Sequence, residues 1–322
     1  MRLRLACLLW ILAVSGNVHG QERDLSLPAE FEAIGDRGLG LNNMATAGLP
    51  GPGATRINPA LLAFDREYTV SGAYHWAPTG RDFYQLGVVD GSTANFSAGI
   101  LYTGFQDSYR RSDFLSERDS PAQKRASLGI AFPLAQVSLG LAGHYVEAEE
   151  EDGFQAKGVK SVALGVGVAG LLTPTLRFGL SVENINNRRI AAFAPRIYRA
   201  GLDWAPFGDD YHFFLDYRQR ERIDELEGAI NPIPGLPLDP AQLAGYDEPE
   251  QMAFAGAQVS MYNVLRMTAS YGHAFSSDER RSLAASVGLF QKGFSLTYSI
   301  ARPYLDRKDQ LNAISLTMLM KM

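Results

Sequence analysis

Residues 158–184, GVKSVALGVGVAGLLTPTLRFGLSVEN, contain two stretches in which apolar side chains alternate with small or polar ones. The two stretches meet at a tight turn around Leu172 and Thr173, whereas longer polar segments, 148–157 and 185–193, flank the pair on its other side. Side chains that alternate with a period of two point to opposite faces of a β-strand. These residues therefore predict a β-hairpin that is closed by a short turn and flanked by two long loops.

The same pattern recurs along the whole chain and predicts about fourteen strands. Most have about ten to thirteen residues, which exceeds the usual length in soluble sheets and suits strands that cross a membrane at a tilt. The predicted strands are 66–77, 81–90, 93–105, 122–132, 135–147, 158–171, 174–184, 194–205, 209–220, 251–261, 263–275, 280–291, 293–302 and 309–322.

The connections between these strands alternate between short turns, such as Gly91-Ser92, and longer polar loops, such as 106–121. Outer-membrane barrels have an even number of strands, with short turns on the periplasmic side and long loops outside. A soluble β-sandwich has no reason to sort its loops in this way. The sequence therefore predicts an all-β protein, a transmembrane antiparallel β-barrel in the bacterial outer membrane with membrane lipid against its apolar face.

Charged residues within the predicted strands lie on the face opposite to the apolar one. In the ninth strand, Asp216 and Arg218 alternate with Leu215 and Tyr217. Such residues favour a position inside the barrel over one that faces lipid. The predicted lumen residues are Arg177, Glu183, Asp216, Arg218 and Arg266.

Residues 1–20 have the features of a cleaved signal peptide. Arg2 and Arg4 precede an apolar core, and Val18-His19-Gly20 supplies a cleavage site of mostly small residues. Cleavage would remove Cys7, the one cysteine, and would change the formal net charge from −5 to −7 because two arginines are lost. This mild acidity, without a basic cluster among aromatic residues, gives no support for a nucleic-acid partner.

Residues 21–65 precede the first strand, and residues 66–322 make up the predicted barrel. The first segment contains Gly35, Gly38 and Gly40 and ends close to Asn58-Pro59-Ala60, where Asn-Pro favours a fixed turn. Its apolar content argues against plain disorder. We expect a folded N-terminal plug, or hatch, although a simple turn that leads into the first strand is the alternative.

The run from Gly35 through Gly38-Leu39-Gly40 to Asn58-Pro59-Ala60-Leu61, followed by residues 69–74, TVSGAY, resembles the start of the FadL superfamily. Members of this superfamily are outer-membrane transporters of long-chain fatty acids and other hydrophobic compounds. Residues 179–184, GLSVEN, are similar to a strand end in relatives that include type IX secretion and TraF-like barrels. The resemblance implies a fourteen-stranded barrel with an N-terminal hatch inside, which passes small hydrophobic molecules inward.

Two functions fit these features. The first is a channel for passive uptake of small hydrophobic molecules such as long-chain fatty acids, gated by the hatch. The second is a non-transporting barrel that serves as a structural or assembly partner of a secretion or conjugation system. Neither function implies a cofactor or a metal. The candidate ligand contacts of the first are Leu39, Leu41, Phe64 and Phe214.

No catalytic site is predicted. The histidines beyond the signal peptide lie on four different predicted strands, and neither a Gly-x-Ser-x-Gly element nor paired metal ligands are present. His212 and Asp216 share one face of the ninth strand, and a structural pair in a polar lumen is the favoured interpretation. The proline-rich loop 221–250 is long for an ordinary connection and is a candidate surface for a ligand or partner.

Overall fold

The computed structural model describes most of the chain between Leu39 and Met320. The predicted signal peptide, residues 21–38 of the predicted hatch and most of the loop 221–250 lie outside the described residues. The described residues are 39–41, 44, 46–48, 51–64, 66–77, 81–107, 124–152, 155–186, 195–221, 249–275, 281–302 and 310–320.

Fourteen strands make up almost all of the regular structure in these residues. They are β1 (Tyr68–Trp76), β2 (Arg81–Asp90), β3 (Ser97–Asp107), β4 (Lys124–Leu134), β5 (Val137–Asp152), β6 (Gln155–Thr173), β7 (Leu176–Glu183), β8 (Ile197–Trp204), β9 (Tyr211–Arg220), β10 (Glu250–Met261), β11 (Leu265–Ala274), β12 (Arg281–Gln291), β13 (Phe294–Arg302) and β14 (Leu311–Met320).

The strands form one closed antiparallel barrel in which each strand pairs with the strands before and after it in the sequence. Closure comes from β1, which pairs with β14 from Tyr68 opposite Met320 to Trp76 opposite Asn312. A closed barrel leaves no edge strand with unpaired backbone groups. The predicted all-β class, the antiparallel order and the number of strands are confirmed. The strand ends that lead into the long polar connections lie at one end of the barrel, the long-loop end, and the tight turns lie at the other, the short-turn end.

The connection between β2 and β3 is longer than the predicted turn Gly91-Ser92. The Asp90 carboxylate accepts hydrogen bonds from the backbone amides of Ser92 and Thr93, at 3.1 and 3.0 Å. These bonds turn the chain before it becomes extended, so β3 begins at Ser97.

The strands β5 and β6 also run further than predicted. β4 stops pairing with β5 at Glu147, but β5 and β6 remain paired from there to Asp152 opposite Gln155. At the long-loop end, the extra residues pair only within this hairpin, which therefore extends beyond the neighbouring strands. Backbone pairing of this kind does not need the apolar alternation from which the strand ends were predicted.

Large apolar side chains cover the outer face of the barrel. In β4, Leu128 and Phe132 are exposed, whereas Arg125 and Ser127 are buried in the lumen. The same alternation occurs in β9, where Leu215 is exposed and Phe214 is buried. An apolar exterior around a polar lumen is the arrangement of a membrane barrel, since a soluble sandwich buries its apolar face. The described helices are all too short or too polar to cross a membrane.

Within the barrel lie three short helical segments from the described part of the predicted hatch. They are 3-10 turns at Leu39–Leu41 and Pro59–Phe64 and helix α1 at Ala54–Ile57. The turn Leu39–Leu41 packs against β11, β12 and β13, while Pro59–Phe64 packs against β3, β4, β5 and β6. These two groups of strands lie on opposite sides of the barrel. Residues 39–64 therefore reach from one wall of the lumen to the other.

Candidate functional site

Hydrogen bonds and ion pairs join the described part of residues 39–64 to the lumen wall. At the centre of these contacts, Asn58 is fully buried. Its side-chain amide donates to the carbonyl of Thr46 at 2.8 Å and to the carbonyl of Val168 on β6 at 3.1 Å. Its side-chain oxygen accepts from the backbone amide of Ala60 at 3.1 Å. Asn58 thus joins two parts of the hatch to the wall and fixes the turn that Pro59 continues.

Glycines on adjacent strands allow this close approach. A Cβ atom at Gly140 on β5 would overlap the backbone of Ala60, and one at Gly179 on β7 would overlap the carbonyl of Thr46. At Gly167 on β6, a Cβ would overlap the side-chain oxygen of Asn58. Glycine within a strand often marks a place where another backbone comes close. The wall and the hatch are therefore shaped for each other.

A buried ion cluster attaches helix α1 to the wall. Glu183 on β7 has side-chain nitrogens of Arg56, Arg125 and Arg199 at 3.0, 3.3 and 2.9 Å. All four side chains are almost completely buried. Arg56 belongs to α1, whereas Arg125 and Arg199 belong to β4 and β8. One carboxylate therefore ties the hatch to three wall strands.

Arg56 lies in the hatch and not in a membrane-spanning strand. Burial, together with the nearby charge of Arg125, lowers the pKa of its guanidinium to about 9, although the Glu183 carboxylate opposes both effects. The group therefore remains mostly protonated at neutral pH. Its charge and its two hydrogen bonds to Glu183, from Nε at 3.3 Å and Nη2 at 3.0 Å, are both present under physiological conditions.

The first part of the hatch, residues 39–48, makes separate polar contacts. The backbone amide and hydroxyl of Thr46 donate to the Asp216 carboxylate on β9, at 3.1 and 2.9 Å. The carbonyl of Gly40 accepts from the hydroxyls of Thr268 and Ser270 on β11, at 3.3 and 3.2 Å. Asp216 lies on the strand next to Arg199 of the Glu183 cluster, whereas the contacts of Gly40 with β11 lie further round the wall.

The remaining predicted lumen residues also lie on the inner face of the barrel. The guanidinium of Arg218 lies 5.1 Å from the ring centre of Phe254, and that of Arg266 lies 4.0 Å from the ring centre of Phe290. Arg177 is half-buried near the short-turn end. Gly35 and Gly38 lie outside the described residues.

The candidate ligand contacts do not surround one space. Leu41 and Phe214 belong to one buried apolar cluster, which also includes Met252 and Phe254. Leu39 belongs to a second cluster, and Phe64 packs against a third. The candidate ligand contacts are therefore divided among three separate apolar clusters.

His212 pairs with Asp203 on β8, at 2.8 Å, and not with Asp216. Residues four apart on one strand are about 13 Å apart along the chain, so His212 and Asp216 are too distant for direct contact. In the described part of the chain, no group of three or more His, Cys, Asp or Glu side chains is placed to hold a metal ion.

The residues of the ion cluster other than Glu183 were not singled out from the sequence. Arg125 and Arg199 do stand at inward positions of their strands, and this alternation was the signal that could have found them. Arg56 had no such signal because it precedes the first strand.

No family model and no curated protein matches the sequence. Solved structures do match. The toluene transporter TodX of P. putida is 12% identical, with a TM-score of 0.58, over 90% of this chain and 97% of its own. The toluene transporter TbuX of Ralstonia pickettii is 13% identical, with a TM-score of 0.58, over 89% of this chain and 97% of its own.

A TodX deltaS2S3 mutant, described as a monoaromatic hydrocarbon channel, gives a TM-score of 0.60 at 13% identity, over 91% of this chain and 100% of its own. At such low identity these likenesses establish the fold alone. The chain therefore has the barrel fold of these FadL-type hydrocarbon transporters, the fold that its resemblance to the FadL superfamily implied.

Proposed function

We propose that the protein is an outer-membrane channel for passive uptake of small hydrophobic molecules, such as long-chain fatty acids or aromatic hydrocarbons, with the hatch as its gate. The observation that carries this proposal is the hatch itself, which crosses the lumen. It is fastened to one side of the wall through Asn58, the Glu183 cluster and Thr46, and to β11 through Gly40. A barrel with a purely structural role has no need for such a fitted plug.

The nature of the fastening supports a gate. The carbonyl of Gly40 accepts hydrogen bonds from neutral wall hydroxyls, and each contributes only about 0.5–1.5 kcal/mol, whereas a bond of Thr46 to the Asp216 carboxylate contributes about 1.5–3 kcal/mol. Such bonds can exchange for others when a ligand enters. The shared fold with barrels described as toluene transporters adds the class of solute.

The test is uptake of labelled oleate and labelled toluene by cells that make the protein in a host without such a channel. Asn58→Ala combined with Pro59→Ala removes the turn that fixes the hatch, while the barrel strands remain intact. We expect this variant to leak small polar solutes, or to take up the hydrophobic solutes more slowly. Asn186→Ala is the matched control because its amide also bridges backbone groups, at Leu164 and Val162, but outside the hatch.

Normal uptake and no leak in the Asn58 and Pro59 variant would remove the hatch from the mechanism. Wild-type protein that folds in the membrane but moves neither solute would refute the channel. The role as a partner of a secretion or conjugation system would then be the function to pursue, by identifying proteins that co-purify with the barrel.

A further inference from the structure

His75 is a fully buried polar side chain close to the long-loop end of the lumen. It is the residue before the last of β1, and its exposed fraction is 0%. Neither ring nitrogen has a hydrogen-bond partner among the described residues. Buried polar groups are normally paired because an unpaired one costs free energy. Packing alone therefore gives no reason for histidine at this position.

The surroundings of His75 are apolar. Its ring stacks on Phe83 of β2, with ring centres 4.1 Å apart and an angle of 7° between the planes. On the other side, His75 lies opposite Ala313 in the pairing of β1 with β14. Phe83 and Ala313 belong to a group that we call the outer apolar cluster. The members of this cluster are Leu39, Phe83, Ala284, Ala301, Leu311 and Ala313.

Small side chains form much of this part of the wall. Ala284, Ala301 and Ala313 stand on three neighbouring strands, and Leu39 of the hatch packs against this surface. Ser282, at the same end of β12, also has a buried hydroxyl with no partner in the described residues. A mostly apolar lining with a few hydrogen-bonding atoms is typical of a site for a mostly apolar ligand.

We propose that His75 and the outer apolar cluster form a binding site for a hydrophobic molecule that carries one hydroxyl or carboxyl group. This proposal rests on the uptake function above. A neutral imidazole offers one donor and one acceptor, so it can bind either head group. The apolar body of the ligand takes the place of Leu39 against the three alanines. The head group supplies the hydrogen bond that His75 lacks in the described structure.

Phenol and toluene are a matched pair of probes because they have similar size and differ by a hydroxyl in place of a methyl group. The dissociation constant of each is measured by equilibrium dialysis with the purified full-length barrel in detergent. We expect His75→Leu to weaken phenol binding about tenfold, the effect of one hydrogen bond, and to leave toluene binding unchanged. His75→Gln should restore part of the phenol affinity because glutamine can still donate and accept.

His273→Leu is the control, since His273 lies at the same end of the barrel and its ring contacts Phe275. This variant should bind both probes as the wild type does. Leucine suits the apolar surroundings of His75, so His75→Leu should fold. The heat-modifiable mobility of the barrel on a gel tests this expectation. In addition, the 15N chemical shifts of the His75 ring should move with phenol but not with toluene.

Three results separate the two proposals. Equal weakening of phenol and toluene by His75→Leu would show a packing role and refute the site. The site alone would be refuted if the wild-type protein takes up hydrophobic solutes and His75→Leu binds phenol as tightly as the wild type does. The same conclusion follows if the wild-type protein takes up hydrophobic solutes but binds neither probe. Wild-type protein that binds neither probe and moves no solute would refute both.

Discussion

Removal of the Arg56 side chain by Arg56→Met should loosen the hatch without opening the barrel. Arg56 is the hatch member of the Glu183 cluster, and its two hydrogen bonds to Oε1 of Glu183 are 3.3 and 3.0 Å long. In this variant Glu183 keeps Arg125 and Arg199, so its charge remains paired within the wall. The change therefore acts on the attachment of α1 and spares the contacts between strands.

The size of the effect follows from these contacts. A buried hydrogen bond to a charged group contributes about 1.5–3 kcal/mol. If the hatch detaches as a unit, the free energy of detachment should fall by about this amount, which raises the detached population about ten- to hundredfold. Glu183→Gln should do more, because it removes the shared carboxylate from three arginines. Its cost to the whole barrel should be about 3–5 kcal/mol.

Amide hydrogen exchange measures the detached population. The amides of Asn58, Ala60 and Leu61 all donate hydrogen bonds within the hatch, so their exchange should accelerate about ten- to hundredfold in Arg56→Met. Strand amides should keep their protection. Arg177→Met, which removes another lumen-facing arginine from β7, is the control. Unchanged exchange at all three hatch amides in Arg56→Met would refute the attachment, and equal acceleration in β7 would show that Arg56 supports the wall instead.

Two other substitutions test the fit of the hatch and the position of the membrane. Gly179→Ala should displace the hatch because the new Cβ overlaps Thr46, and this displacement should raise the single-channel conductance in planar bilayers. The control is Gly143→Ala, whose Cβ has open space around it, so the conductance should not change. Leu128→Arg puts a charge on the outer face near the middle of β4, so it should cost about 2–4 kcal/mol in urea unfolding from lipid vesicles. The same change at the exposed turn residue Ser92 should cost little, and an equal cost at both positions would contradict a lipid-facing β4.

The sequence was sufficient for the barrel because the relevant signals are local. The alternation of Leu176, Phe178 and Leu180 with Arg177 and Gly179 depends only on the two-residue period of a strand. Short and long connections alternate because an antiparallel barrel brings successive connections to opposite ends. The antiparallel meander then leaves little freedom in the order of strands, since each one pairs with its predecessor.

The contacts inside the barrel could not be predicted in the same way. Arg56 and Glu183 are 127 residues apart in sequence, and they meet because α1 lies in the lumen beside β7. Alternation shows that Glu183 faces inward but does not identify its partner. The same limit applies to His212, whose partner Asp203 lies on the adjacent strand and not on its own. Partners in a lumen depend on strand register and on the path of the hatch, which are long-range properties.

The two parts of the hatch are held unequally, and this asymmetry links the gate to the His75 site. Residues 54–64 are fixed by a buried ion cluster, and Ala60 and Thr46 both make backbone contacts that only glycines in the wall allow. The segment Leu39–Leu41 depends more on single hydrogen bonds, which the Gly40 carbonyl accepts from Thr268 and Ser270. Gly51, whose φ of 117° suits glycine, lies between the two parts. If both proposals hold, a ligand that replaces Leu39 in the outer apolar cluster acts on the part that is easier to displace, and its binding would begin to open the lumen.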